Sequence, residues 1–110
     1  MPELNELIKE VMENSAKWGF NVTPDYDGIL MEALCLCGEV GEFANCIKKL
    51  PRTLSQRNGI TEEQLIVQAW EEMIDILIYW CKLAHFLGMD VDADWKRKQA
   101  ILQERWGGSK

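Results

Sequence analysis

One segment constrains the fold of this chain more than any other, because from Thr61 to Leu87 it is apolar around most of a helical circumference. Thr61 and Gln64 have the form of a capping box, and Gly88 marks the end. Its apolar side chains are Ile66, Trp70, Met73, Ile74, Ile76, Leu77, Ile78, Trp80 and Cys81. A helix of this kind is buried on several sides. The segment therefore predicts a helical bundle whose core is completed by oligomerisation.

Two further helices are predicted before this segment. Pro2 stands in a first helical turn, and apolar residues at steps of three and four extend a first helix to about Trp18. A connector over Phe20–Asp27 leads to a second helix that starts at Asp27-Gly28 and runs to about Leu50. Polar residues from Pro51 to Gly59 predict a loop.

A fourth helix is predicted after Gly88. Asp90 or Asp92 caps it, and Gly107-Gly108 ends it just after Trp106. No alternating strand pattern competes with these helices. The expected fold is therefore all-α, a four-helix bundle forming a single domain over residues 1–110.

The charge of the chain narrows its possible partners. A net charge of −6 disfavours both a nucleic-acid polymer and an anionic membrane surface, because each attracts a basic footprint. Met1–Glu10 lacks the pattern of an export signal, and no apolar run is long enough to span a bilayer. We therefore expect a cytoplasmic protein without a membrane partner.

The cysteines and tryptophans add two expectations. The four cysteines show no Cys-x-x-Cys spacing, which favours reduced, mostly buried thiols over a zinc or disulfide framework. Five tryptophans exceed what one small core readily hides. Some of them should lie in an oligomer interface or line a pocket.

Each of the two middle helices carries an acidic pair at a spacing of three residues. Glu39 and Glu42 stand beside the apolar stripe of the second helix, and Glu72 and Asp75 border the apolar face of the third. Carboxylates one turn apart repel each other, which is unfavourable unless a cation lies between them. Mg²⁺ prefers such oxygen ligands. The alternative, which the spacing alone favours, is that all four acids are solvated surface charges.

Two glycines accompany the first acidic pair. Gly38 and Gly41 lie inside a predicted helix, where each costs roughly 1 kcal/mol relative to alanine. Close approach of another backbone or of a ligand would explain them.

In the segments GEVGEFAN and EEMIDILIYW the chain resembles the MazG-like all-α nucleotide pyrophosphatases, and the resemblance spans roughly residues 27–106. It implies that Glu39, Glu42, Glu72 and Asp75 bind Mg²⁺ and form the catalytic centre. Gly38 replaces the first glutamate of the fuller family pattern, as in the dCTP pyrophosphatase branch.

The same resemblance implies contacts with the substrate. Lys98 and Arg105 match the two cations that the last helix of the family offers to a triphosphate, although Leu102 stands where relatives often have asparagine. Asn45 and Lys48 resemble nucleotide-binding residues of phage-type relatives. Trp18 resembles an aromatic residue that stacks near the base, with a core or interface role as the alternative.

The resemblance thus implies hydrolysis of a nucleoside triphosphate to the monophosphate and pyrophosphate, for housecleaning or control of the nucleotide pool. A deoxynucleotide such as dCTP or dATP is the expected substrate, and a homodimer or homotetramer the expected assembly. Two alternatives remain: a phosphoribosyl-ATP pyrophosphohydrolase with the same metal site, and a non-catalytic helical module that binds nucleotides or other partners. A redox metal site is disfavoured because the Glu-x-x-His pattern is missing.

Overall fold

A computed structural model describes residues 3–19, 24–50 and 61–108, and these fold into four α-helices without a β-strand. The helices are α1 (Leu4–Lys17), α2 (Tyr26–Lys49), α3 (Glu62–Phe86) and α4 (Val91–Trp106). The all-α prediction is confirmed for this part of the chain. The predicted loop over Pro51–Gly59 and the helical role of Pro2 lie outside the described residues.

The ends of α3 follow the sequence signals. The Gln64 backbone N–H donates to Thr61 Oγ1 at 3.1 Å, and the Thr61 N–H donates to Gln64 Oε1 at 2.8 Å, which completes the capping box. At the other end Gly88 has a φ of 69°, a left-handed conformation that glycine adopts without steric cost. Both boundaries were therefore predictable from short-range chemistry.

The start of α2 differs from the prediction. The helix begins at Tyr26 with Asp25 as its N-cap, so the predicted start at Asp27-Gly28 was wrong by about two residues. The Asp25 carboxylate accepts from the Gly28 N–H at 2.9 Å, the contact that a helix N-cap makes. Asp27 instead lies in the first turn, where its negative charge interacts favourably with the helix dipole.

Hydrogen bonds join α4 to the start of α1. Asn5 donates from Nδ2 to Asp90 Oδ1 at 2.9 Å and accepts at Oδ1 from the Val91 N–H at 3.0 Å. Asp90 caps α4, while Asp92 accepts from the Leu4 N–H at 2.8 Å. Of the two predicted caps, Asp90 has that role and Asp92 anchors α1 instead.

The hydrophobic core is small. One cluster lies where α1, the end of α3 and the start of α4 meet, and its buried members are Ile8, Cys81, Ala84 and Val91. Further along the bundle, Leu65 and Ala69 of α3 are also buried. α2 packs along α3, α1 covers part of α3, and α4 contacts α1. Among the described residues, no helix is both long and apolar enough to cross a bilayer.

The molecule is open for its size. Its accessible surface is 8336 Å², against about 6,200 Å² for a compact monomer of this mass. Its radius of gyration is 17.8 Å, against about 13 Å for a compact chain of this length. The apolar side chains exposed on α3 include Val67, Trp70, Met73, Ile74, Leu77 and Trp80. Within one chain α3 is therefore not buried on all the sides that its sequence predicts.

Three composition-based expectations have mixed outcomes. The cysteines are free thiols, as predicted, but only Cys81 is buried, so the prediction of mostly buried thiols was wrong. None of the five tryptophans is buried in the chain. Around Gly38 and Gly41 no atom lies within 4 Å of an added Cβ, so no close approach within the described chain explains these glycines.

Candidate functional site

Three of the four predicted metal-binding acids meet between α2 and α3. Glu39, Glu72 and Asp75 each place a carboxylate oxygen within 4.8 Å of the other two, and all three side chains are half-buried. Because Glu39 lies opposite Glu72 and Asp75 while Glu32 lies opposite Lys82, the two helices run antiparallel. The acidic ridges predicted from the sequence therefore face each other.

Two oxygens of this acidic cluster have no hydrogen-bond partner among the described residues. Glu39 Oε2 and Glu72 Oε2 are both buried and unpaired. Buried polar atoms are normally satisfied, since leaving one unpaired costs about 1 to 3 kcal/mol. The cluster therefore has unused acceptor capacity that a cation with oxygen preference fits.

The acidic surroundings also change the protonation of Glu39. Its pKa is raised from 4.5 to about 7, chiefly because the protonated carboxyl group can donate a hydrogen bond to Glu72 and because the group is desolvated. A hydrogen bond to Glu42 and the negative charges of Glu42 and Asp75 add to the effect. Without a cation, the cluster thus retains a proton close to neutral pH.

Glu42 lies at the edge of this arrangement. Its side chain is exposed, and it is not one of the three residues whose oxygens converge. Its influence on the pKa of Glu39 nevertheless shows that the two carboxyl groups are close. A ligand role for Glu42 remains a prediction.

A cavity of about 680 Å³ opens beside the acidic cluster, within the size range of small-molecule sites. It lies between α1, α2 and α3. The residues of its lining come from these three helices and from the turn after α1: Val11, Asn14, Ser15, Trp18, Gly19, Glu32, Glu39, Asp75, Ile78, Tyr79 and Lys82. Two acids of the cluster, Glu39 and Asp75, thus border a space large enough for a small organic ligand.

A buried ion pair forms another part of the cavity wall. Lys82 Nζ lies 2.8 Å from Glu32 Oε1, and both side chains are more than nine-tenths buried. At this distance the ammonium and the carboxylate oxygen form a direct ion pair, and Glu32 Oε1 has no further partner among the described residues. The Lys82 ammonium also lies 5.3 Å from the centre of the Tyr79 ring, within cation–π range.

Tyr79 stands between the ion pair and the acidic cluster along α3. Burial raises the pKa of its phenol, and the neighbouring Cys35 and Glu32 raise it further. The hydroxyl group therefore stays protonated at neutral pH and can act as a hydrogen-bond donor, with Cys35 as its partner in the described chain.

The remaining predicted substrate residues have different positions. Trp18 lines the cavity and is 61% exposed, so its indole ring is accessible from solvent. Asn45 and Lys48 are exposed on the last two turns of α2, away from the cavity lining. Lys98 and Arg105 are exposed on α4, which packs against α1 and supplies no residue to the cavity. One described chain therefore does not bring the two α4 cations to the acids.

Sequence inspection missed Glu32 and Lys82, although a signal for them exists. Glu32 lies seven residues before Glu39, and Lys82 lies seven residues after Asp75. A step of seven returns to nearly the same helical face, so each residue continues the ridge of the acids by two turns. Extending both ridges in antiparallel register would have paired them.

Comparisons with known proteins do not place the chain in a family. No family model, no curated protein and no solved structure matches it.

Proposed function

We propose that the chain is a Mg²⁺-dependent nucleoside triphosphate pyrophosphohydrolase of the MazG-like type, forming a nucleoside monophosphate and pyrophosphate. The observation that carries the proposal is the convergence of Glu39, Glu72 and Asp75 from two facing helices beside a cavity. Helical bundles build carboxylate metal sites in this way.

The donor set fits magnesium better than a softer metal. Carboxylate oxygens are the ligands that Mg²⁺ prefers, and two of those present are buried without a partner. Glu39, Glu72 and Asp75 would hold the ion, with Glu42 as a fourth ligand at the exposed side. When bound, Mg²⁺ neutralises phosphate charge and lowers the pKa of a coordinated water.

The chain's own residues supply orientation and proton transfer. Glu39 is our candidate for the general base, because it borders the cavity and a carboxylate there can accept the proton of the attacking water. The Tyr79 hydroxyl group can donate to a bound oxygen. Lys98 and Arg105 would neutralise phosphate charge. Because they lie away from the acids of their own chain, α4 of a second copy would supply them.

We also propose that the active form is a homodimer or homotetramer. The accessible surface exceeds that of a compact monomer by about 2,100 Å², which is the amount that each subunit of an obligate assembly commonly buries. Met31 and Leu34 on α2 and the exposed apolar side chains of α3 would form the interface.

The first experiment measures pyrophosphate release from the canonical ribo- and deoxynucleoside triphosphates, with and without Mg²⁺. Loss of a residue that only supports a metal ligand costs roughly 10- to 100-fold in activity. Glu72→Gln removes a proposed ligand itself, so it should reduce pyrophosphate release at least as much. Glu71→Gln is the matched control, because Glu71 is the exposed neighbour on the same helix.

The panel also separates the alternatives. Release from phosphoribosyl-ATP alone would favour that pyrophosphohydrolase, which uses the same metal site. Folded protein that binds nucleotides but releases no pyrophosphate from any of them would favour the non-catalytic module. Equal activity of native chain and Glu72→Gln would overturn the assignment of the acidic cluster as the catalytic centre.

A further inference from the structure

The buried Glu32–Lys82 pair has unused hydrogen-bonding capacity. Removing two charges from water costs more than their attraction returns unless further hydrogen bonds use their remaining donors and acceptors. The Lys82 ammonium has three N–H donors, but the described residues offer it only the Glu32 contact and the Tyr79 ring. Glu32 Oε1 faces this ammonium and has no further hydrogen-bond partner there. The cavity is the open side of this pair.

The position of the pair relative to the acidic cluster matches the shape of a nucleotide. Glu32 and Glu39 on α2, like Lys82 and Asp75 on α3, are separated by seven helical residues, or about 10 Å. This distance is comparable to the reach from an α-phosphate across the sugar to the far edge of the base. A ligand with its phosphates at the acids would therefore place its base at the ion pair.

We propose that the Glu32–Lys82 pair is the base-reading end of the cavity. The Lys82 ammonium donates to a ring or carbonyl acceptor of a nucleobase, and the Glu32 carboxylate accepts from the N–H group beside it. The exocyclic group beside the ring nitrogen is a donor in cytosine and adenine and an acceptor in uracil and guanine, so the fixed order of Lys82 and Glu32 favours one of these two sets. Trp18 and Tyr79 are the aromatic side chains of the same cavity. This assignment rests on the proposed function, since it takes the acids as the phosphate end.

The test uses a double variant that removes both charges. Glu32→Leu with Lys82→Met avoids leaving one uncompensated buried charge, and apolar replacement of a buried pair is often tolerated. The control is Asp94→Asn with Arg97→Met, which removes the exposed ion pair on α4. Circular dichroism and thermal melting establish that both variants are folded, and the single variant Glu32→Gln offers a milder change.

The expected result is a loss that depends on the base. For the preferred nucleotide kcat/KM should fall at least roughly tenfold, and the differences among the four bases should narrow. The inhibition constant of inorganic tripolyphosphate, which has no base, should change much less. An equal loss for tripolyphosphate and nucleotide, or an unchanged ranking of bases, would overturn the proposal and leave the pair a purely structural link between α2 and α3.

A binding measurement separates this inference from the hydrolytic function. Nucleosides carry no phosphate, so their quenching of tryptophan fluorescence reports the base site without metal or turnover. Nucleoside binding that the double variant loses, in a chain that hydrolyses nothing, would support the base site and reject the hydrolase. If the native chain and the double variant instead both hydrolyse nucleotides and discriminate equally among the bases, that result would support the hydrolase and reject the base site.

Discussion

At the scale of single residues, the acidic cluster is the feature with the clearest physical consequences. Glu39, Glu72 and Asp75 place like charges within 4.8 Å of one another, an arrangement that opposes folding unless a proton or a cation offsets it. The raised pKa of Glu39 shows the first of these compensations. A bound cation would be the second, and it would replace the proton on Glu39.

The stability of the metal-free chain should fall as the pH rises from 4.5 to about 7. Over this range folded Glu39 keeps a proton that the unfolded chain has lost, so folding is favoured by low pH and loses that contribution above the folded pKa. Thermal melting in a chelator across these pH values measures the slope. The melting temperature of Glu39→Gln should depend less on pH than that of the native chain. Identical slopes for the two proteins would contradict the assignment of this pH dependence to Glu39.

Magnesium should stabilise the native chain, and more strongly above pH 7 than below it, because the cation then no longer competes with a proton. At 100 times its dissociation constant the gain is about 2.7 kcal/mol. Glu72→Gln should melt at a higher temperature than the native chain without metal, since it loses a repelling charge, and should gain little from Mg²⁺. Glu71→Gln should respond as the native chain does. A full magnesium response from Glu72→Gln would place the ion elsewhere.

At the scale of helices, the sequence predicted what depends on neighbouring residues and missed what depends on packing. The capping box of Thr61 and the stop at Gly88 are local, and both predictions are confirmed. The start of α2 was predicted at Asp27-Gly28, but Asp25 is the N-cap, because the path of the chain brings its carboxylate to the Gly28 N–H. The pairing of Glu32 with Lys82 required the antiparallel register of α2 and α3, which no single helix specifies.

The junction of α1 and α4 depends on one asparagine. Asn5 both donates to Asp90 and accepts from the Val91 N–H, so Asn5→Ala leaves two polar groups without their partner. We expect a loss of about 1 to 2 kcal/mol in the free energy of unfolding, measured by urea denaturation. Lys9→Ala, on an exposed position of α1, is the control. A loss no larger than that of the control would show that solvent replaces these bonds.

Replacing the glycines of α2 tests the stability of the helix and the association of two copies as separate effects. Because an added Cβ meets nothing at Gly38 or Gly41, replacement of both by alanine should stabilise the helix of an isolated chain by roughly 1 kcal/mol per site. If this face packs against a second copy, the same change should weaken association. Sedimentation equilibrium and melting of dilute samples measure the two effects, and Ala44→Gly calibrates helix propensity on α2. Unchanged association would exclude the two glycines from the interface.

At the scale of the whole molecule, the open shape is the dominant feature. A small core and many exposed apolar side chains on α3 leave the isolated chain with few buried contacts. Proteins of this size normally bury more of their surface. The stability of the chain is therefore expected to depend on association.

The melting temperature should accordingly rise with protein concentration, as expected when assembly and folding are linked. Ile74→Lys places a charge on the exposed apolar side of α3, where Ile74 is 56% exposed, and should yield monomers that melt at a lower temperature. Gln99→Lys adds the same charge to an exposed polar position of α4. Light scattering gives the mass of each variant. A native chain that is monomeric and melts at the same temperature at all concentrations would reject the proposal.

The plate-like outline of the molecule has one more consequence. Its extents are 51, 46 and 23 Å, and the shortest equals only about two helix diameters. In a body two helices thick, most side chains lie near solvent, and a second copy on either flat face would cover many of them. If the flat faces pair, the share of paired chains would fall on dilution, so activity per chain would fall with it.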